Sequence, residues 1–200
     1  TFSVSGVDAR KGSFPERTLR AFGNVRAITL GSFSYDVAER IGDTTTTTTY
    51  RVVTDATAPL DTSAVGNGLY LDRVTYRTGA LETQFAPTNP PMIAALPLVR
   101  GAIIDQRAVD PETQTVMTFT STVEGKQRVI ACGEPLDSWT IHLTEGTIIS
   151  LTQDLEFDAT YQLATQFGGI MIADAVAYVG TDGESGIQRS NRAVITQVPQ

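Results

Sequence analysis

A strict two-residue alternation of apolar and polar side chains is the feature that most constrains the fold of this chain. The alternation is cleanest over residues 154–163. Its apolar members are Leu155, Phe157, Ala159, Tyr161 and Leu163, and the acidic residues between them are Asp154, Glu156 and Asp158. Because successive side chains of a β-strand point to opposite faces, this stretch predicts a strand with one buried and one solvated face. The acidic side chains would lie about 7 Å apart along the strand, a spacing that favours a solvated face over a calcium site.

Further strand patterns fill the rest of the chain, and no stretch predicts a helix of three turns. Threonine occurs 29 times, and this β-branched residue fits a pleated sheet better than a helix. The unbroken threonine run over 44–49 predicts a strand at a sheet edge or facing solvent. Roughly ten to twelve short strands separated by turn signals predict an all-β, mainly antiparallel fold, either a curved sheet or half-barrel or a β-sandwich.

The chain length of 200 residues fits a single domain. Residues 1–22 lack a sustained pattern and are interpreted as an extended N-terminal arm, followed by one β domain over 23–200. Three prolines within 87–91 remove backbone donors, which makes that stretch a candidate internal boundary. Turn signals at 124–126 and at 145–146 predict chain reversals between successive strands.

The charge of the chain bears on its partners. The net charge of −7 argues against a nucleic-acid partner, and no basic stripe offsets it. No run approaches the roughly 18–20 apolar residues of a membrane helix, so no transmembrane segment is expected. The chain starts at Thr1, which fits either an exported protein without its signal or a boundary inside a longer protein. We expect an extracytoplasmic location in the periplasm, on the cell surface or in the medium, with a virion or other assembly as the alternative.

No motif commits the chain to a catalytic, metal or cofactor chemistry. A nucleophile and base pair would need His142, the single histidine, and Cys132, the single cysteine, lies one predicted strand away. A lone cysteine is more often an inert apolar residue, and the Gly-x-Ser-x-Gly elbow of serine hydrolases is absent. One cysteine and one histidine do not supply a standard structural zinc site. We therefore expect no enzyme activity, no metal and no cofactor.

Binding by shape is the function that this pattern favours. A curved antiparallel sheet with one apolar face can hold an apolar molecule against that face. Six residues on the apolar faces of predicted strands are the candidate ligand contacts: Phe119, Trp139, Ile141, Leu155, Phe157 and Tyr161. The same residues would form the hydrophobic core if the face is covered, since every half-buried sheet must bury such side chains.

Three segments carry a resemblance to a known group of proteins. They are 123–133, which ends in Val129-Ile130-Ala131-Cys132-Gly133, then Thr160-Tyr161-Gln162-Leu163-Ala164, and finally Gly168-Gly169-Ile170. Over roughly residues 120–200, this order of strand, glycine turn, late strand and glycine break resembles bacterial envelope proteins with a curved, lipoprotein-carrier-like antiparallel sheet. Members of that group bind acyl chains or serve as structural modules, so the resemblance implies an exported protein with an apolar ligand.

We expect a non-enzymatic, exported envelope or surface module that binds an apolar small molecule or a protein partner on its curved sheet. The alternative is a structural subunit of a homo-oligomeric shell, fibre or appendage. The terminal segments 1–20 and 189–200 would serve that alternative by adding a strand to a neighbouring copy. The sequence therefore leaves homo-oligomerisation open.

Overall fold

In the computed structural model of this chain, strands dominate the described residues, which are 2–8, 12–13, 19–29, 31–41, 43–55, 66–151, 154–180 and 188–195. Fourteen strands lie within this described part: β1 (Phe2–Asp8), β2 (Gly12–Ser13), β3 (Leu19–Thr29), β4 (Ser32–Ile41), β5 (Thr44–Val53), β6 (Gly68–Thr78), β7 (Leu81–Phe85), β8 (Met92–Ala95), β9 (Ile103–Val109), β10 (Val116–Ala131), β11 (Glu134–Ile149), β12 (Asp154–Ala164), β13 (Ile170–Gly180) and β14 (Gln188–Ile195). A short 3-10 helix over Thr165–Phe167 is the one helical element in the same residues. No helix in these ranges has the length and apolar character that a membrane crossing requires.

The strands form two antiparallel sheets that pack face to face, so the all-β prediction is confirmed and the architecture is a β-sandwich. Among the described residues, sheet A contains eight strands in the order β2-β1-β14-β13-β12-β11-β10-β9. Sheet B contains β3-β4-β5-β6-β7 in that order, and β8 pairs with the first residues of β6. Both sheets are largely meanders, because most strands pair with their neighbours in sequence and such antiparallel pairs need only short connections.

Both halves of the chain share one apolar core. Strands β3 to β8 build sheet B, and strands β9 to β14 build most of sheet A. The core cluster contains side chains from each sheet, including Tyr35 and Ile93 from sheet B and Ile141 from sheet A. The proline-rich stretch 87–91, a candidate boundary by sequence, connects β7 with β8 on the sheet B side.

The N-terminal segment interpreted as an extended arm contributes strands to both sheets. β1 pairs antiparallel with β14, in a register that runs from Phe2 opposite Ile195 to Asp8 opposite Arg189. β3 begins at Leu19 and pairs with β4. The described parts of residues 1–22 are therefore paired with other strands of the same chain.

Two stretches that predict turns are instead β-bulges inside long strands, so those two turn predictions are wrong. β10 and β11 each run for 16 residues and pair as one hairpin that reverses at Cys132-Gly133. At Gly125, where φ is +141°, β10 gains one residue relative to β11. At Glu145, where φ is +53°, β11 gains one residue relative to both of its neighbours. A bulge accommodates a residue with positive φ without reversing the chain.

The threonine run forms strand β5, and of the two positions predicted for it, at a sheet edge or facing solvent, the edge is wrong. β5 is central, since it pairs with β4 on one side and with β6 on the other. Its threonines are half-buried, and Thr49 donates a hydrogen bond to Asp36 at 2.8 Å. A hydroxyl group that forms a hydrogen bond offsets the free-energy cost of its partial burial. A strand rich in threonine can therefore lie at the centre of a sheet.

The amphipathic strand predicted over 154–163 is confirmed as β12. Burial alternates along its first half, with Asp154, Glu156 and Asp158 exposed. Leu163, near its other end, is only 1% exposed within the core. Because each buried Å² of apolar surface contributes about 25 cal/mol, the inner faces of the two sheets supply most of the stabilisation.

Four of the hydrogen bonds between described residues connect sheet A with the sheet B half of the chain by pairing a side chain with a backbone group. They are Met171 N–H to Tyr35 Oη at 3.1 Å, Met92 N–H to Gln106 Oε1 at 2.8 Å, Ala86 N–H to Asp110 Oδ2 at 2.8 Å, and Ser121 Oγ to the carbonyl of Ile93. Each satisfies a polar group at the interface between the sheets, where an unpaired one would be costly.

Asp110 is the most heavily bonded of these groups. Its carboxyl, which is 1% exposed, also accepts the backbone N–H groups of Glu112 at 2.8 Å and Thr113 at 3.2 Å. Burial alone would raise the pKa of Asp110 and is the largest single effect, but the backbone N–H groups of Ala86, Glu112 and Thr113 together lower the pKa below its ordinary value of 3.8. The carboxylate form is therefore the one that the fold stabilises.

Asp110→Asn is expected to lower the free energy of unfolding at neutral pH by about 1–3 kcal/mol, because charge-assisted hydrogen bonds are lost. The folded-state pKa is depressed, so the stabilisation is present above the unfolded-state pKa near 3.8 and is lost as pH falls through the folded-state value. The difference between wild type and variant, measured by urea unfolding along an acidic pH series, should shrink on acidification.

The matched control for Asp110 is Asp137→Asn. Asp137 pairs with Arg128 at 3.1 Å, and the two side chains are 76% and 75% exposed. Such a surface pair is worth about 0.5 kcal/mol or less. A difference between wild type and Asp110→Asn that stays constant at every pH would contradict the role of the carboxylate.

Gly146→Ala is expected to destabilise the fold by about 1–3 kcal/mol, because a Cβ there overpacks the sheet. The added atom would lie 2.5 Å from the Phe157 carbonyl oxygen and 2.6 Å from its ring. Gly66→Ala is the matched control, since a Cβ at Gly66 meets nothing within 4 Å. Urea unfolding checks the pair, and equal midpoints for the two variants would show that β12 does not approach Gly146 this closely.

Candidate functional site

A cavity of about 310 Å³ lies between the two sheets. Strands β4, β5, β6 and β8 form one wall, and strands β10 to β13 form the other. Its aromatic lining residues are Tyr50, Tyr76, Phe119, Phe157, Tyr161 and Tyr178, and its polar ones are Glu39, Thr46, Thr48 and Asp174. The rest of its described lining is aliphatic or methionine. This composition is typical of small-molecule pockets, which are mostly apolar with a few placed polar groups.

Burial along the lining strands shows which end of the cavity is open. On β6, Leu71 and Val74 are each 8% exposed, whereas Tyr76 is 46% exposed. On sheet A, Tyr161 is buried while Leu155, near the start of the same strand, is half-buried. The mouth therefore lies at the end of the sandwich where β6 ends and β12 begins. Tyr76 is an exposed apolar side chain of the lining at this end, whereas Ile149 and Val179, also exposed, lie on the outer face of sheet A.

Aromatic rings of sheet A form one continuous wall of the cavity. Phe157 contacts Phe119 edge-on, with ring centroids 6.3 Å apart, and contacts Tyr178 at the same centroid distance. Phe157 and Tyr178 are opposite each other in the pairing of β12 with β13. Such pairs hold their rings in fixed positions and add about 0.5–1.5 kcal/mol beyond simple burial. The wall is therefore pre-formed, which lowers the entropic cost of binding.

Two acidic side chains lie among the apolar lining. Asp174 is 4% exposed and faces the interior opposite Tyr161, its partner in the pairing of β12 with β13. Glu39 is half-buried and stands opposite Thr46 on sheet B, nearer the mouth. The cavity thus carries one carboxyl group deep inside and one near its opening.

The structure places the six sequence-predicted ligand contacts in three different environments. Four of them, Phe119, Leu155, Phe157 and Tyr161, line the cavity. Ile141 is 0% exposed and belongs to the core beyond the cavity. Trp139 is half-buried and lines a separate open cleft.

The cleft at Trp139 is shallow and charged. It is bounded by Lys126, Arg128 and Asp137 on the β10–β11 hairpin and by Gln166 from the 3-10 helix. The ammonium of Lys126 lies 5.5 Å from the centre of the Trp139 ring, within cation–π distance. Since a cation already covers this ring, the cleft offers less apolar surface than the cavity.

His142 and Cys132 are not brought together. His142 lies on the outer face of sheet A, with Nε2 at 3.0 Å from Asp158 and Nδ1 at 3.4 Å from Glu124. Cys132 is in the turn of the β10–β11 hairpin. Ten residues of extended strand separate them, roughly 33 Å at 3.3 Å per residue. In the described part of the chain, no group of three or more His, Cys, Asp and Glu side chains is placed to hold a metal ion.

Sequence reasoning did not identify the sheet B wall or the deep carboxyl group. Tyr50 and Tyr76 come from strands about a hundred residues before β12 in the chain, and no local pattern predicts which faces meet across a sandwich. Asp174 did leave a signal, because it is the single charged residue within the apolar stretch 170–179. A charge inside such a stretch is a reason to expect a built polar position.

Comparisons with known proteins found no match for this chain. No protein-family model, no curated protein and no solved structure matches this chain. The resemblance to lipoprotein-carrier-like envelope proteins therefore stays a prediction.

Ile141→Val and Leu155→Ala distinguish a core residue from a residue at the mouth. Ile141→Val should lower the free energy of unfolding by about 0.5–1.5 kcal/mol, because it removes a fully buried methyl group. Leu155→Ala removes more atoms but from a half-buried position, so its cost should fall below the 2–5 kcal/mol typical of buried sites. Urea unfolding measures both, and a loss of about 2 kcal/mol or more in Leu155→Ala would place that side chain in the closed core instead.

Proposed function

We propose that this protein binds a small, predominantly apolar molecule in the cavity between its two sheets. The observation that carries the proposal is the cavity itself, about 310 Å³ lined mainly by aromatic and aliphatic side chains. Ligand pockets usually measure about 300–1,000 Å³, so this one suits a compact molecule of one or two rings or a short chain. Four residues singled out from the alternation of the sequence lie on its wall, which adds to this support.

The way into the cavity also supports a binding role. The mouth is bordered by two apolar side chains of the lining, Tyr76, which is 46% exposed, and Leu155, which is half-buried. Exposed apolar side chains grouped at one end of a protein are often functional. An apolar molecule arriving at this end would find apolar surface before it enters the cavity.

We further propose that the binding is non-catalytic and that the protein acts as an exported envelope or surface module. Within the described residues, the single histidine lies on the outer face of sheet A and is not part of the cavity lining. General acid–base chemistry needs a side chain within hydrogen-bond distance of the reacting group. The described lining contains two carboxyl groups, Glu39 and Asp174, on opposite sheets, and its remaining side chains mainly supply contact area.

The alternative of a structural assembly subunit has less support. Strand exchange between copies would need the terminal segments to leave their present partners. Phe2–Asp8 is paired with Arg189–Ile195 along its whole length within the same chain. Because the backbone groups of these two strands already form hydrogen bonds with each other, exchange of either strand with another copy would add few new hydrogen bonds.

A neutral fluorophore, phenylnaphthylamine, is expected to bind wild-type protein with a rise in its emission, because the probe moves from water to an apolar site. Val176→Phe should weaken this binding about tenfold or more, equivalent to 1.4 kcal/mol, since the larger side chain occupies the cavity. Val176 lines the cavity from the middle of β13 and is 9% exposed. A fluorescence titration measures both affinities.

The matched control is Val179→Phe, the same substitution on the outer face of the same strand, where Val179 is 47% exposed. It should leave the affinity for the probe unchanged. Trp139→Phe should also leave the affinity unchanged, because Trp139 lines the cleft and not the cavity. Equal affinities of wild type and Val176→Phe, or loss of binding in Trp139→Phe, would overturn the proposal.

A further inference from the structure

Two threonine side chains, Thr46 and Thr48, stand on the wall of the cavity that sheet B forms. They lie two residues apart on β5 and share one face of that strand, so their side chains are separated by about 7 Å along it. Both are half-buried. They therefore bring hydroxyl groups to a cavity whose lining is mostly apolar.

The hydroxyl groups of Thr46 and Thr48 differ from the other polar groups of the lining, because no described residue forms a hydrogen bond with them. Glu39, Asp174 and the tyrosines of the lining all interact with another part of the chain. Thr49, the next residue of β5 and on its opposite face, donates a hydrogen bond at 2.8 Å to a carboxyl group of β4. Since a hydroxyl group can both donate and accept, the two cavity threonines keep this capacity for a ligand.

Thr48 has the more apolar surroundings of the two. Its partners in the pairing of β5 with β4 and with β6 are Val37 and Val74, which are 2% and 8% exposed and also line the cavity. Thr46 instead stands opposite Glu39, nearer the mouth. A hydroxyl group among apolar side chains costs free energy unless it forms a hydrogen bond, so valine at position 48 would serve the fold at least as well as threonine.

We infer that the cavity selects neutral apolar molecules that carry a hydroxyl or carbonyl oxygen over hydrocarbons of the same shape, and that Thr48 makes this selection. The inference rests on the proposed function, because it assigns a ligand class to the same cavity. A ligand hydroxyl group can donate to Thr48 Oγ1 or accept from it, and a ligand carbonyl group can accept from it. A hydrocarbon leaves the Thr48 hydroxyl group unpaired, which lowers its affinity relative to the oxygenated molecule.

The two walls of the cavity offer different contacts to such a ligand. Phe119, Phe157 and Tyr178 belong to sheet A, and Thr48 belongs to sheet B. A molecule between the sheets therefore has aromatic side chains on one side and the threonine hydroxyl group on the other. A compact ring system with one oxygen substituent supplies apolar contact to the first wall and a hydrogen bond to the second.

The test compares indane with 2-indanol, a bicyclic hydrocarbon and the neutral alcohol with the same ring system, as competitors of phenylnaphthylamine. The quantity measured is the ratio of the affinity for 2-indanol to the affinity for indane. In Thr48→Val this ratio should fall about fivefold relative to wild type, equivalent to about 1 kcal/mol. Indane should bind Thr48→Val at least as tightly as wild type, because valine keeps the shape of the wall and removes the unpaired hydroxyl group.

Thr47→Val is the matched control, since it is the same substitution on the opposite face of the same strand, where Thr47 is also half-buried. It should leave the ratio unchanged. Thr48→Ser keeps the hydroxyl group and should retain the ratio of wild type, whereas Thr48→Ala should lose it. This second pair makes the same comparison if Thr48→Val does not fold or binds neither competitor.

The remaining outcomes separate the inference from the proposed function. Equal ratios in wild type and Thr48→Val, an equal fall in Thr47→Val, or a fall in Thr48→Ser as large as in Thr48→Ala would overturn the selection by Thr48 and leave the cavity as an apolar site. No probe binding by wild-type protein would overturn the proposed function, and the inference would fall with it.

Discussion

Burial of two apolar sheet faces against each other is the interaction on which the rest of this structure depends. Neither meander can shield its inner face from water alone, because a single sheet covers only one side of a core. Tyr35, Ile93, Ile141 and Met171, drawn from both sheets, are at most 1% exposed as a result. The cavity is the place where this packing is incomplete, since the facing side chains approach but do not fill the space near one end. Incomplete packing costs contacts, and a ligand of the right size would restore them.

The positions of the β-bulges decide which side chains reach the space between the sheets. A shift of one residue along a strand moves each later side chain to the opposite face. The extra residue at Glu145 returns Ile148 to the inner face, where it lines the cavity with Leu143. The extra residue near Gly125 acts on the part of the hairpin near its turn. It places Arg128 on the same face of the sheet as Trp139, and the Arg128 side chain is 75% exposed there. One hairpin therefore supplies both the cavity wall and the separate charged cleft.

The sequence predicted local structure well where alternation and turn residues agree. The amphipathic strand over 154–163 is found, since a period of two identifies a strand without knowledge of its partners. The turns predicted at Gly125 and Gly146 are wrong, because a glycine beside a polar residue occurs in β-bulges as well as in turns. The centre-strand position of the threonine run and the pairing of opposite walls depend on contacts distant in sequence. The sequence therefore predicted cavity residues on β10 and β12 of sheet A, but it did not predict the wall that sheet B forms.

The central claim is that a small apolar molecule lies between the two sheets, and nuclear Overhauser contacts between bound phenylnaphthylamine and methyl-labelled protein test it most directly. The account predicts contacts from the probe to the methyl groups of Met117, Leu155 and Val176, which line the cavity from three strands of sheet A. It predicts none to Leu136, which borders the cleft at Trp139. Contacts to Leu136 without contacts to Val176 would contradict the claim and place the ligand on the outside of the sandwich.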